Sequence, residues 1–116
     1  MIRCQQWVAR VLAVMGIGGV LLGSAIVASA DETGKKVYQR DCQSCHGADG
    51  TGNPQIAKAL QVSIPSVTAA ALKQKDDAEL LRLIAEGKGK MPGYAKKLSA
   101  EEQRQVLDYM KTLGGH

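Results

Sequence analysis

Cys42-Gln43-Ser44-Cys45-His46 constrains this chain more than any other stretch. Two thiols three positions apart in a helical turn lie on one side of the chain, and the residue after the second is an imidazole. Each sulfur can then bond covalently to one vinyl group of a porphyrin, while His46 lies over the ring plane and offers a nitrogen to iron. C-x-x-C-H is therefore the attachment signature of a c-type haem. Other uses of a C-x-x-C pair have less around them. A thioredoxin-like redox pair needs a βαβ context, and the flanking sequence is helical with no strand pattern. A zinc site needs two further ligands, and the only other Cys and His are Cys4 and His116, near opposite ends of the chain.

The first thirty residues do not pattern like the rest. Arg3 and Arg10 give a positive start, Val11 to Val27 is an apolar run, and Ala28-Ser29-Ala30 is an A-x-A cleavage site ahead of Asp31-Glu32. Residues 1–30 therefore read as a secretory signal peptide. The alternative is an uncleaved membrane anchor, since Val11 to Ala30 carries no charge and is long enough to span a bilayer. Cys4 does not head a small-residue lipobox, and cleavage would remove it. Export fits the chemistry: haem attachment in bacteria is typical of the periplasmic side, and the two thiols must be reduced before haem joins them. The expected location is the periplasm, or the inner membrane facing it if the anchor stays.

Residues 31–116 form the expected domain. Removing residues 1–30 takes Arg3 and Arg10 and leaves thirteen basic against eleven acidic residues, with Tyr38, Tyr94 and Tyr109 as the only aromatics. A domain this small is marginal and usually needs a staple. A covalent porphyrin supplies one, together with a flat apolar core, so the apo-chain is expected to fold poorly. The charge excess is too small, and aromatics too few, for a nucleic-acid partner.

Thr33 to about Cys45 reads as a first helix, with Gly34, Tyr38 and Cys45 on one face and Asp41 interrupting it. Gly34 either lets another helix cross closely or marks a frayed start. Gly47 to Pro65 reads as a loop of turn residues that carries the backbone around the haem edge. A carbonyl in it is expected to accept the second ring N–H of His46, with Pro65 the first choice and Pro54 the second. Ser66 is placed to cap a short helix, Val67 to Leu72. Asp76 or Asp77 begins a helix to Glu86, with Leu80, Leu81, Leu83 and Ile84 as its stripe and Gly87 as its end. Ser99-Ala100-Glu101-Glu102 is a capping box that opens a last helix to about Leu113. The pattern is all-α, about four helices.

Gly87 to Tyr94 is the second informative stretch. Iron held by His46 has a sixth position, and a thioether there gives the His/Met pair of electron-carrying cytochromes. Met91 sits between Gly and Pro, where no helix forms and a side chain can be presented to metal. Met110 shares a helical stripe with Val106, Leu107 and Leu113 and reads as core. His116, after two glycines at the terminus, is a rival ligand. The bland alternative for Met91 is a gap-filling apolar residue.

With these residues in view, the chain resembles small bacterial class I c-type cytochromes with one haem, including the cytochrome c domains of cbb3-type oxidases. The resemblance rests on Gly34-x3-Tyr38, Cys42-x2-Cys45-His46-Gly47, Gly87-x-Gly89-x-Met91-Pro92, Leu98-Ser99-x-Glu101-Glu102 and Tyr109-Met110-x-x-Leu113. It implies helices wrapped around one covalent haem c, first and last helices crossing, and electron transfer between redox proteins. The absence of Trp and Phe after residue 30 leaves no carry-over of residues that hydrogen-bond the haem propionates.

On this reading His46 and Met91 are the axial ligands, and the chain is a monomeric electron carrier. Lys88, Lys90, Lys96 and Lys97 cluster around the Met91 loop and are expected either to be a plain solvated face or to steer docking to an acidic partner. Two other readings stand beside it. One is a haem enzyme or gas sensor with an open sixth site, and the other a tethered subunit of a respiratory complex.

Overall fold

The computed structural model describes residues 29–114, together with Gly18, Gly19 and Gly23. Arg3, Cys4, Arg10, most of the apolar run and His116 lie outside the described residues. Five helices are present among the described residues, and no strand beyond a two-residue bridge between Lys88 and Met91.

Helix α1 is a continuous rod in three parts: α-helical Ala30–Val37, a π-helical turn Tyr38–Cys42, and α-helical Gln43–His46. It starts three residues before the expected Thr33. Ser29 is extended and its carbonyl accepts the N–H groups of Glu32 and Thr33 at 3.0 and 3.3 Å, and Asp31 and Glu32 suit the positive end of the helix dipole. The π turn explains why Asp41 broke the expected stripe. Gln43 N–H bonds back to Tyr38 O, five residues away, so the turn is wider than in an α-helix. Tyr38, Cys42 and His46 are all buried at a four-residue spacing, which a wide turn keeps near one face.

Helix α2, Pro54–Leu60, lies inside the segment expected to be loop. Asn53 caps it, accepting from Gln55 N and Ile56 N, and Pro54 takes the first helical position. Those are the two residues best suited to open a helix, and their turn-forming character hid this. Helix α3, Ala69–Leu72, is shorter than expected because Thr68 caps it, accepting from Ala71 N. Ser66 instead accepts from Thr68 N and donates to Gly50 O. Helix α4, Asp77–Glu86, begins after Asp76 and ends at Gly87. Helix α5, Ala100–Met110, carries the reciprocal capping box of Ser99 and Glu102 and yields to turns over residues 111–114.

The first and last helices cross at Gly34. A Cβ there would lie 2.1 Å from the Gln105 carbonyl oxygen and 3.1 Å from Tyr109 Cβ, so no side chain fits at that position. Directly beyond the crossing, the rings of Tyr38 and Tyr109 meet at 5.4 Å and 55°, a tilted arrangement that suits the ring quadrupoles. Val37, Tyr38, Leu80, Ile84, Leu98, Val106, Leu107 and Met110 close the core around them.

Candidate functional site

The C-terminus of α1 carries Cys42, Cys45 and His46, and its end is held from outside. A helix leaves its last four carbonyls without intrahelical partners. Here the Ser44, Cys45 and His46 carbonyls accept from the Gly52–Asn53 connector, and the Gly47 carbonyl, just past the helix, accepts from a side chain within it. Asn53 Nδ2 donates to Ser44 O at 3.0 Å. Asn53 N donates to Cys45 O at 2.8 Å and Gly52 N to His46 O at 2.7 Å. The Tyr38 hydroxyl donates to Gly47 O at 2.6 Å. The backbone that presents the imidazole is therefore pinned at every residue from Ser44 to Gly47.

Cys42 is buried, Cys45 is partly exposed, and both are free thiols. Burial pushes the Cys42 thiol up to about 11, with the negative charge of Asp41 adding to the effect. It stays protonated at neutral pH. His46 is buried, 8 % exposed. Burial lowers its pKa and the Pro65 carbonyl opposes this by raising it, so the imidazole is held neutral, the form that ligates iron. Nδ1 is buried yet has no partner within hydrogen-bond geometry.

Met91 lies on a tight turn after α4. Lys88 and Met91 exchange both backbone hydrogen bonds at 3.0 Å. Gly87 makes the turn possible: its φ is +74° and a Cβ would lie 2.5 Å from Met91 O. Tyr94 N and Ala95 N then bond to Ile84 O and Ala85 O of α4 at 2.9 and 3.1 Å. The loop is also tied to α1, because the Tyr94 hydroxyl donates to Asp41 O at 2.8 Å. Met110 is 4 % exposed in the core, as expected. Lys88, Lys90 and Lys96 are exposed. Lys97 pairs with the Asp41 carboxylate, so its ammonium is not free in the way theirs are.

This donor set fits a covalently held haem. Two unpaired thiols and a neutral imidazole with an orphaned Nδ1 sit on one helix end. Among the described residues no three His, Cys, Asp or Glu side chains converge as a bare-ion site requires. A cleft of about 620 Å³ is lined in part by Gly52, Pro54, Ala57, Val62 and Ile64. It abuts the connector whose amides hold Cys45 and His46, and α2 beside it buries none of its residues. Asn53 and Asp41 were not singled out from the sequence as site residues. Asn53-Pro54 carried a readable helix-start signal, whereas Asp41 showed only as an interruption of the first helix's face.

Fold and site together define a c-type cytochrome domain, for which covalent haem c is the implied cofactor. Among solved structures, the fold is similar to the KustC0563 c-type cytochrome (25 % identity, TM-score 0.58, covering 67 % of this chain and 93 % of that one). It is also similar to cytochrome c6C from Synechococcus sp. PCC 7002 (24 %, TM-score 0.52, 68 % and 90 %). Residues 29–110 match the family model described as cytochrome C oxidase, cbb3-type, subunit III, and the chain belongs to that family. It is 36 % identical over 90 residues to the cbb3-type cytochrome c oxidase subunit CcoP of Azospirillum brasilense, covering 76 % of this chain and 30 % of that protein. It is 31 % identical over 84 residues to subunit FixP of Bradyrhizobium sp. strain ORS 278, covering 71 % and 27 %. The chain thus spans about 30 % of the length of the curated relatives it matches.

Proposed function

We propose that this chain is a single-haem electron carrier. Cys42 and Cys45 would hold the haem through two thioethers, and His46 and Met91 would be the protein's ligands to its iron. The haem supplies one-electron Fe(III)/Fe(II) chemistry when bound. The protein's part is to hold its ligands still. The pinned carbonyls from Ser44 to Gly47 fix the direction of His46, and the Pro65 carbonyl raises its basicity. A methionine sulfur favours the reduced metal and raises the potential. If His46 and Met91 both ligate the iron, little would have to move when the electron does.

The observation that carries this reading is the bond from Tyr94 to Asp41. It returns the Met91 loop to the residue next to Cys42, which supports Met91 as the second ligand. The experiment is the optical spectrum of the holoprotein, oxidised and reduced, with and without carbon monoxide. A low-spin reduced c-type spectrum indifferent to carbon monoxide, with a weak far-red sulfur-to-iron band when oxidised, is expected. Met91→Ala should abolish that band. A high-spin spectrum that shifts with carbon monoxide would sink the His/Met assignment and favour an open-site enzyme or sensor.

Lys88, Lys90 and Lys96 present an exposed basic edge beside the same loop and are proposed to steer docking to an acidic redox partner, with Lys97 a lesser contributor. Electron-transfer rates with such a partner should fall steeply with salt; rates independent of salt would oppose it. The relatives named as oxidase subunits favour a second reading, in which this domain serves within a larger respiratory complex. No helix among the described residues is long and apolar enough to cross a membrane. Periplasmic location, as a free carrier or an anchored one, is part of the proposal, and N-terminal sequencing of the purified protein distinguishes the two.

A further inference from the structure

The geometry points to Asp41 as a positioning residue that latches the Met91 loop onto the helix bearing the haem thiols. This deepens the His/Met reading and rests on it. Three contacts converge on Asp41 from two directions. Its carboxylate accepts from Arg40 Nε and Nη2 at 2.9 and 2.7 Å, within its own helix. The other carboxylate oxygen accepts from Lys97 Nζ. Its backbone carbonyl accepts from the Tyr94 hydroxyl. Lys97 and Tyr94 belong to the segment directly after Met91, so side chain and main chain of one residue grip the same loop. Lys97 Nζ also lies 6.0 Å from the centre of the Tyr94 ring, which places the two gripping groups side by side.

The carboxylate is covered rather than deep. The Asp41 side chain is 1 % exposed, while those of Arg40 and Lys97, which lie over it, are 55 % and 59 % exposed. A charge screened from water in this way interacts more strongly with its partners than an ordinary surface pair. The π turn is what makes the contact possible. Asp41 lies inside it, and a regular helix would have carried residue 41 toward the buried stripe. The Lys88–Met91 turn alone fixes the loop only to itself and to α4. Asp41 adds the reference to α1, and hence to Cys42 and His46.

The test uses the holoprotein and follows the far-red band against temperature, alongside helical unfolding by far-ultraviolet circular dichroism. In the parent the band should persist nearly to global unfolding. In Asp41→Asn and in Lys97→Met it should disappear at a lower temperature, well before helical unfolding, with a detached population raised about tenfold or more at a given temperature. Lys97→Arg should restore the parent curve, and the double variant should resemble either single one, because both remove one link. Lys97 lies on the exposed side of the pair, so its variants keep the test open if Asp41→Asn fails to fold. Band loss in step with the parent in both single variants would overturn the latch while leaving Met91 ligation intact. A parent without the band, unchanged in Met91→Ala, would overturn both.

Discussion

Asn53 donates its side-chain Nδ2 to the carbonyl of Ser44 at 3.0 Å, and the same side chain accepts from Gln55 N and Ile56 N through Oδ1. One amide thus closes the end of α1 and opens α2. Asn53→Ala should lose both functions and cost about 2 kcal/mol or more. Asn53→Asp keeps the cap but loses the donor and sets a negative charge against a helix C-terminus, so it should cost about 1 kcal/mol. Urea denaturation of the holoprotein measures both, and equal losses would mean that the cap of α2 contributes nothing.

The crossing of α1 and α5 leaves no room for a side chain at residue 34. Gly34→Ala places a methyl group 2.1 Å from the Gln105 carbonyl oxygen, a backbone atom that cannot step aside. The two helices must separate, and stability should fall by about 3 kcal/mol or more. A thermal melt within a degree of the parent would show that the crossing is soft.

Tyr38→Phe keeps the ring against Tyr109 and removes only the hydroxyl that donates to Gly47 O. The carbonyl after His46 then loses its partner in a part-buried place, at a cost of about 1–3 kcal/mol. Because the loss falls next to the imidazole, a small shift in the reduction potential should accompany the change in the melt.

Acid should weaken the Asp41 link. The Arg40 guanidinium first, and then the Lys97 ammonium, hold the Asp41 carboxyl below the usual carboxylate range. A group whose folded pKa is depressed contributes stability in full above its unfolded value of about 3.9, and loses it as pH falls from there through the folded value. Stability measured against pH should therefore drop less steeply below pH ~4 in Asp41→Asn than in the parent. Parallel curves would mean that Asp41 gains nothing from its charge on folding.

Removing the haem tests the marginal core. The domain has three tyrosines and no Trp or Phe after residue 30, and α2 buries none of its own residues. A Cys42→Ala/Cys45→Ala variant that cannot attach haem should melt at a lower temperature and less cooperatively. A sharp, parent-like transition would show that the helices suffice alone.

The parts legible in the sequence were those in which one residue acts through its neighbours in the chain. The Ser99–Glu102 capping box, the stop of α4 at Gly87 and the core stripe of α5 all follow from local pattern, whereas Gly34 was left open between a close crossing and a frayed start because its partners Gln105 and Tyr109 are remote. Asn53-Pro54 was legible too, but turn-forming residues cannot distinguish a loop from the start of a helix. The π turn and the Asp41 contacts were not legible. An extra residue in one helical turn is paid for by packing at both ends of the chain, and the partners of Asp41 lie 53 and 56 residues away. No window along the sequence holds both halves of such a contact.

The Gly34 crossing also sets an order of events. The partner of α1 is the last helix, so a chain emerging from its N-terminus first exposes Cys42 long before Val106, Leu107 and Met110, which share its core, exist. Over that interval the Cys42 thiol belongs to an open helix end and not to a closed interior. Docking of the final helix is thus the step that turns Cys42 from an accessible thiol into a core one.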